Sequence, residues 1–417
     1  MSTRVLAALY GVASLAGVAC EAHAQAQQAP TLTREDALER ALADDPNVAA
    51  ADANERAADA SLRQAGRWSN PTLEITRENF EGSGLYSGSD RAETTYGLRQ
   101  PLELGGDRSA RRHIAESERD LARLGAGLER LDVVEEVEHA FIDAQAAEAT
   151  LAVAEERLAV AQDLAAAVNR RVQAARDPFM AGSRAQARLA EAEIEAQSAR
   201  RAAISARERL ASYWNGTSEF RVELTSFQRL GDAPRDVLQA PIPDLQLGAA
   251  RQARAEAQLR LERARRIPDV DVQVGLREFS ETDETALVVG FAAPLQLWDR
   301  NSDNVTRARA ERDRAGHQRE ALARAAARQR GALLNQMDTA RLEVEGLDAR
   351  VIPSSEEALR FARDGYVRGA FSYIDVLEAQ RALTEARLRR IASLRSYHRA
   401  LASLERLSGV RAEEISQ

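Results

Sequence analysis

The 417-residue sequence contains one cysteine, Cys20, so neither a disulfide framework nor a paired-thiolate zinc or redox site can form within one chain. Aromatic residues are scarce, at 9 Phe, 7 Tyr and 3 Trp. Most of the apolar content is Ala and Leu interleaved with Arg and Glu, a mixture that favours long helices over stocky mixed cores. Beyond the N-terminus there is no apolar run of about 20 residues, which excludes a bundle of membrane-spanning helices. It does not exclude a membrane β-barrel, whose alternating strands leave little hydropathy trace. Positive charge is not in excess either: 57 Lys+Arg stand against 65 Asp+Glu, a net charge of −8. With its Arg dispersed rather than clustered, that balance argues against nucleic acid as a partner. His113, His139, His317 and His398 show no ligand spacing and Met180 and Met337 are isolated, so no metal site, cofactor or catalytic constellation is expected.

What is present begins with an address. Arg4 precedes the apolar stretch 5–19, and Ala22-His23-Ala24 supplies a small-residue cleavage site, so residues 1–24 read as a secretory signal peptide. The alternative is a lipoprotein signal, 1–19, with cleavage leaving a lipidated Cys20, although Gly17 stands where such signals normally carry Leu. Both readings export the protein.

The remainder is built twice. Gly97-Leu98-Arg99-Gln100-Pro101-Leu102-Glu103-Leu104 returns 193 residues later as Gly290-Phe291-Ala292-Ala293-Pro294-Leu295-Gln296-Leu297. The run from Gly182 through Leu189-Ala190-Glu191-Ala192 returns 187 residues later as Gly369 through Val376-Leu377-Glu378-Ala379, and Asn70-Pro71 matches Ile267-Pro268. Three matches in one order at nearly one offset indicate an internal duplication rather than a short-period solenoid. The first repeat spans 31–216, with a helix from Thr33 to about Trp68, a β-hairpin over 71–102 and a helical hairpin over 107–214. After a connecting segment, 217–242, the second repeat spans 243–410, with its β-hairpin at 268–296, its helical hairpin at 299–409 and a tail at 411–417.

In the second β-hairpin Val270, Val272, Val274 and Leu276 share one face and Asp271, Gln273, Gly275 and Arg277 the other, and Leu287, Val289, Phe291, Ala293 and Leu295 repeat the alternation. By itself this fits a lipid-facing barrel or a small soluble sheet with one buried face. Residues 107–176 hold no Pro, and Leu121, Leu124, Leu128, Leu131, Val134 and Phe141 recur at helical spacing; Leu322, Ala326, Leu333, Met337, Ala340, Val344, Leu347 and Val351 do so in the second repeat. A helix of about 70 residues is roughly 105 Å long, and the two shorter helices of the first repeat, laid end to end, match it. Pro353 is expected to kink or break the second long helix. Four strands cannot close a barrel, since single-chain outer-membrane barrels start at about 8, so strands in lipid must close with other copies.

The duplicated plan resembles that of TolC-like outer membrane factors. The motifs Gln100-Pro101-Leu102-Glu103-Leu104-Gly105-Gly106-Asp107-Arg108 and Pro294-Leu295-Gln296-Leu297-Trp298-Asp299-Arg300-Asn301 are similar to those of the heavy-metal efflux (CzcC-like) branch, with Asp107 in place of the usual basic residue. The resemblance covers about 31–410. It implies a mainly α fold with membrane β, a homotrimer whose 12-strand barrel sits in outer-membrane lipid and continues into a periplasmic α-helical barrel. It also implies partners: a periplasmic adaptor (membrane fusion) protein and a proton-driven inner-membrane pump of the resistance-nodulation-division (RND) class. Gly182 and Gly369 would then lie at the periplasmic turns and contact the adaptor.

The family's aperture motif is met by Tyr366, Gly369, Asp375, Val376, Leu377 and Glu378. Asp375 and Glu378, three apart on one helix face, with Glu191 as the first-repeat equivalent of Glu378, are expected to ring the entrance and bias it towards cations. Their crowding is expected to disfavour ionisation, and their removal to leave assembly intact. Arg188 stands where some relatives place an acidic partner for the tyrosine, and Phe371 where they carry a basic latch residue, so the lock of those relatives does not transfer. Two other readings stay open: a channel for drug efflux or type I protein secretion, and a soluble periplasmic coiled-coil scaffold.

Overall fold

The computed structural model describes residues 30–231, 237 and 240–410; the signal segment with Cys20, part of the 217–242 connector and the 411–417 tail lie outside the described residues. The chain opens with β1 (Thr31–Leu32), which pairs in parallel with β4 (Arg221–Val222). Thr33 caps α1 (Arg34–Asp44) in a reciprocal capping box with Asp36. The single helix expected from Thr33 to about Trp68 is in fact two. Asp45 ends the first and caps the second, α2 (Pro46–Ala65), its carboxylate accepting from the Asn47 and Val48 amides at 2.7 and 3.2 Å. Pro46 forces the break, because the residue before a proline is driven out of the helical region while proline itself suits a first helical position.

Four strands form one antiparallel sheet in the order β2 (Thr72–Glu78), β3 (Glu93–Leu102), β5 (Val270–Phe279), β6 (Glu284–Ala292). The hairpin of each repeat thus lies beside the other, joined through β3 and β5. Its register sorts the two faces. Leu73, Leu98, Val274 and Val289 form one row, and Ile75, Tyr96, Leu276 and Leu287 the next. All eight side chains are exposed, so this is an apolar sheet face that nothing among the described residues covers. The opposite face is polar: Arg99 reaches Glu74 at 2.5 Å, and Arg277 reaches Thr95 and Glu93, each at 2.9 Å. A small soluble sheet would bury its apolar face and wet its polar one; here the apolar face looks outward. Strand β6 stops at Ala292, before the Ala293 and Leu295 expected to extend it, because Pro294 has no N–H to give the ladder.

Each hairpin leads into a long helix started by a left-handed residue, Gly106 (φ 80°) before α3 (Asp107–Gln173) and Asn301 (φ 58°) before α6 (Ser302–Gly346). Helix α3 is an uninterrupted 67 residues, about 100 Å. Its counterpart runs through α6, a five-residue π turn (Leu347–Val351) and α7 (Ile352–Arg368), also reaching 67 residues in total. Pro353 therefore does not break the helix. The π turn just ahead of it absorbs the missing donor and adds residues to one turn, which rotates the apolar stripe. Val351, expected on the seam, is accordingly 46% exposed, whereas Met337, Ala340, Val344 and Leu347 are buried. The return helices are α4 (Phe179–Ala211) and α8 (Tyr373–Ser408), and α5 (Pro243–Ala264) lies alongside α3 and α6. No helix among the described residues is long and apolar enough to cross a membrane.

Where β3 and β5 pair at Gly97 and Gly275, a Cβ on Gly275 would meet the Tyr96 carbonyl oxygen at 2.6 Å and the Gly97 Cα at 3.0 Å. Gly275→Ala is expected to destabilise the detergent-solubilised protein by about 1–3 kcal/mol, the usual cost of overpacking. Gly290→Ala, whose Cβ would sit 3.7 Å from its nearest neighbour, is expected to be near neutral. Parallel thermal melts compare the two; equal melting temperatures would refute the tight approach.

Candidate functional site

The far end of the long helices carries two turns, one from each repeat, and most of the sequence-selected residues lie there. In the first, α3 ends at Gln173, Ala175 takes a left-handed φ of 53° and Pro178 caps α4. Because proline starts the helix early, Gly182 lies inside α4 rather than in the turn where it was expected. A Cβ there would meet Asn169 and Val172 of α3 at 3.5 and 3.7 Å, ordinary contact distances, so it marks a helix–helix approach. Gly369 does occupy the second turn, capping α7 with φ 81°. Phe371, at the position of the basic latch residue, lies against Gly365 in its own turn.

The two turns are clasped together. Tyr366 is buried, and its hydroxyl donates to Asp177 Oδ2 at 2.6 Å. Arg171 donates to both oxygens of Asp177 at 3.0 and 3.1 Å and to the Tyr366 carbonyl at 3.2 Å, with its guanidinium 4.9 Å from the tyrosine ring centroid. The hydrogen bonds from Arg171 and Tyr366 hold the Asp177 carboxyl below the usual carboxylate range. Burial, reinforced by the bond to Asp177 and its charge, pushes the Tyr366 phenol up, so it stays a donor. Beneath the clasp, Leu164, Val168 and Ala185 of the first repeat pack with Leu359, Tyr373 and Val376 of the second. The tyrosine thus has an acidic partner, but from the turn, not from position 188. Sequence reasoning missed Asp177 and Arg171: Asp177-Pro178 was legible as a turn, but nothing local shows that a carboxylate there meets a residue 189 positions away.

Asp375 and Glu378 both lie on the exposed side of α8, and their roles differ. Asp375 closes a capping box with Ser372, accepting from its amide and its hydroxyl at 2.7 Å each. Those bonds hold its carboxyl below the usual range, an influence separate from the crowding between protomers expected of a ring. Asp375 therefore also helps to start α8, as the third-position partner of the Ser372 cap. Glu191 is also exposed and pairs with Arg188 at 2.5 Å, so its charge is locally compensated. Among the described residues no group of three His, Cys, Asp or Glu side chains is placed to hold a metal ion.

An apolar-faced sheet joined end-on to paired helices of about 100 Å defines the protomer of an outer-membrane channel with a helical tunnel. The chain belongs to the outer membrane efflux protein family, whose model matches residues 37–216 and 236–410. It is 31% identical to the cobalt-zinc-cadmium resistance protein CzcC of Cupriavidus metallidurans, over 92% of this chain and 91% of that protein. It is 29% identical to the nickel-cobalt-cadmium resistance protein NccC of Alcaligenes xylosoxydans xylosoxydans, over 64% and 62% of the two. Among solved structures, the outer membrane protein VceC of Vibrio cholerae superposes with a TM-score of 0.75 at 20% identity, covering 90% of this chain and 96% of that one. The family places the protein in the outer membrane.

Tyr366→Phe, which removes one hydroxyl and keeps the ring, is expected to cost about 1–1.5 kcal/mol locally, or roughly tenfold faster amide exchange across 364–372. Asp177→Asn should do likewise. Because the Asp177 carboxyl is depressed, the clasp contributes fully above about pH 4 and is lost only as pH falls through the lowered value. Hydrogen–deuterium exchange at the two turns checks both; unchanged rates in Tyr366→Phe would remove the clasp from the account.

Proposed function

We propose that this chain is the outer-membrane channel of a tripartite efflux system that exports heavy-metal cations. The observation that carries the reading is the sheet itself: among the described residues nothing pairs with the outer edges of β2 and β6 or covers the apolar face. In lipid such edges must pair. Three copies joining β6 to β2 would close a barrel and bring the helices into a tunnel. The similarity to CzcC along nine-tenths of both chains supports metal cations as the cargo, and with them a periplasmic adaptor and an RND inner-membrane pump as partners. The channel is a conduit and not a catalyst; selection of the metal falls to the pump.

On this reading the two turns form the periplasmic end and meet the adaptor, with Gly369 in its turn and Gly182 just inside α4. Asp375 and Glu378 would ring the entrance in each protomer, while Glu191, compensated by Arg188, contributes less. Tyr366 acts behind that ring, through its clasp on Asp177.

The purified full-length assembly in planar bilayers tests this. The wild type is expected to prefer cations and to be blocked by multivalent cations added on the periplasmic side. Asp375→Asn/Glu378→Gln, which removes both charges and keeps an acceptor at the cap, is expected to move the reversal potential towards the non-selective value and to weaken that block. A protein that stays monomeric and soluble without detergent would end the channel reading. An unchanged reversal potential and block in an otherwise normal channel would end only the assignment of the ring.

A further inference from the structure

At the seam between sheet and tunnel, one carboxyl oxygen each of Glu103, just after β3, Asp107, at the start of α3, and Asp269, just before β5, is buried. The β3–β5 ladder ends with Leu102 opposite Val270, so the next pair outward is Glu103 and Asp269, two acids facing each other where like charges repel. Asp107 opens α3 four residues after Glu103 and is 8% exposed; the Glu103 side chain is also 8% exposed. Glu103 Oε1 is well served, accepting from Arg111 at 2.9 Å and from the Ser69 hydroxyl at 3.3 Å. Its other oxygen, Oε2, has no hydrogen-bond partner, and neither has Asp107 Oδ1 nor Asp269 Oδ1, although all three atoms are buried.

The surrounding charges do not resolve this. Arg111 is bonded to Glu103 and its charge also favours ionised Asp107 and Asp269, Arg265 likewise favours ionised Asp107, and Asp271 adds further negative charge beside Asp269, yet burial and the neighbouring acids outweigh the two cations. Three ionised carboxylates are acceptors only, so no pair of them can satisfy the other. A metal shell is not offered by the side-chain arrangement. A proton bound at Asp107 or Asp269 removes one buried charge and turns one of three acceptor-only groups into a donor.

We propose that Glu103, Asp107 and Asp269 form a proton-binding site that locks the barrel to the tunnel. The direction of titration agrees. Burial raises the Asp107 carboxyl above its usual range, with the charges of Asp269 and Glu103 adding to it; burial and then Glu103 do the same to Asp269. The folded seam therefore binds a proton more tightly than the unfolded chain. It gains stability as pH falls through the raised value towards the ordinary aspartate range near about 3.9, and weakens as pH rises and the cluster ionises. A channel whose periplasmic compartment acidifies would hold its seam more firmly.

The test uses the full-length assembly in detergent. Infrared spectra over a pH series are expected to show the carbonyl stretch of a protonated carboxyl persisting above the ordinary aspartate range. That band should shift when the protein carries carbon-13 aspartate and be lost in Asp107→Asn/Asp269→Asn. In parallel, the wild type should melt higher at pH 5 than at pH 7 (about one unit above, and well above, the ordinary range), and the double variant should lose most of that difference. A band that vanishes at the ordinary aspartate range, or that survives in the variant, overturns the proposal. So does a melting temperature that follows added zinc instead of pH. Should the double variant fail to assemble, the labelled wild-type protein still decides, because absence of a label-sensitive band is sufficient to refute the site.

Discussion

A β-strand edge in hydrocarbon is the constraint from which the rest of this molecule follows. Backbone N–H and C=O groups have no water to turn to there, so a sheet in lipid must be closed. The hairpin of one repeat offers two strands, too few to be stable alone, and the duplication places a second hairpin beside it with ten residue pairs between β3 and β5. The result is still open at β2 and β6. Closure is therefore a property of the assembly, and the apolar rows through Leu98 and Tyr96 have their proper solvent only there. The helices inherit the same geometry. Each hairpin feeds one long helix, and both long runs come to 67 residues because both must cover the same distance from the sheet to the far turns.

Much of this was legible in the sequence because it is written in local periodicity. Alternation at Val270 through Leu276 is the pleat itself, and the absence of proline over 107–176 is the unbroken helix. What escaped was of two kinds. Local chemistry was outweighed by a broader pattern at Asp45-Pro46, where the apolar period continues across a proline that starts a new helix, and at Pro353, which a π turn accommodates within the run. Long-range pairing left no local trace at all: Tyr366 with Asp177, or Glu103 with Asp269, depends on how elements far apart in the chain come to rest.

The far end shows why charge counting alone misjudges a site. Three acids, Asp375, Glu378 and Glu191, were selected by one motif and its repeat, yet their surroundings divide them. Asp375 bonds to the amide and hydroxyl of Ser372 and starts α8; its negative charge also suits the positive end of that helix. Glu191 faces Arg188. A carboxylate that caps a helix keeps its charge to lower pH, whereas one that is ion-paired shows little net field beyond its partner. Acidic side chains at corresponding ends of the two repeats thus serve structure in one place and are neutralised in another.

The two repeats also meet one geometric demand with different chemistry. Where sheet gives way to long helix, the chain must turn through the left-handed region just before the helix begins. The first repeat uses Gly106, which has no Cβ to clash at φ 80°. The second uses Asn301 at φ 58°, where a short polar side chain is tolerated and is employed: its amide donates to the Glu262 carbonyl at 2.7 Å and to the Glu262 carboxylate at 3.0 Å. Those bonds, with Gln258 and the nearby Arg265 and Arg307, hold the Glu262 carboxyl below the usual range despite its burial. The motifs leaving the two hairpins therefore differ after their shared Pro-Leu core for a physical reason. One repeat reaches the turn by removing a side chain, the other by adding one that fastens the helix to its neighbour.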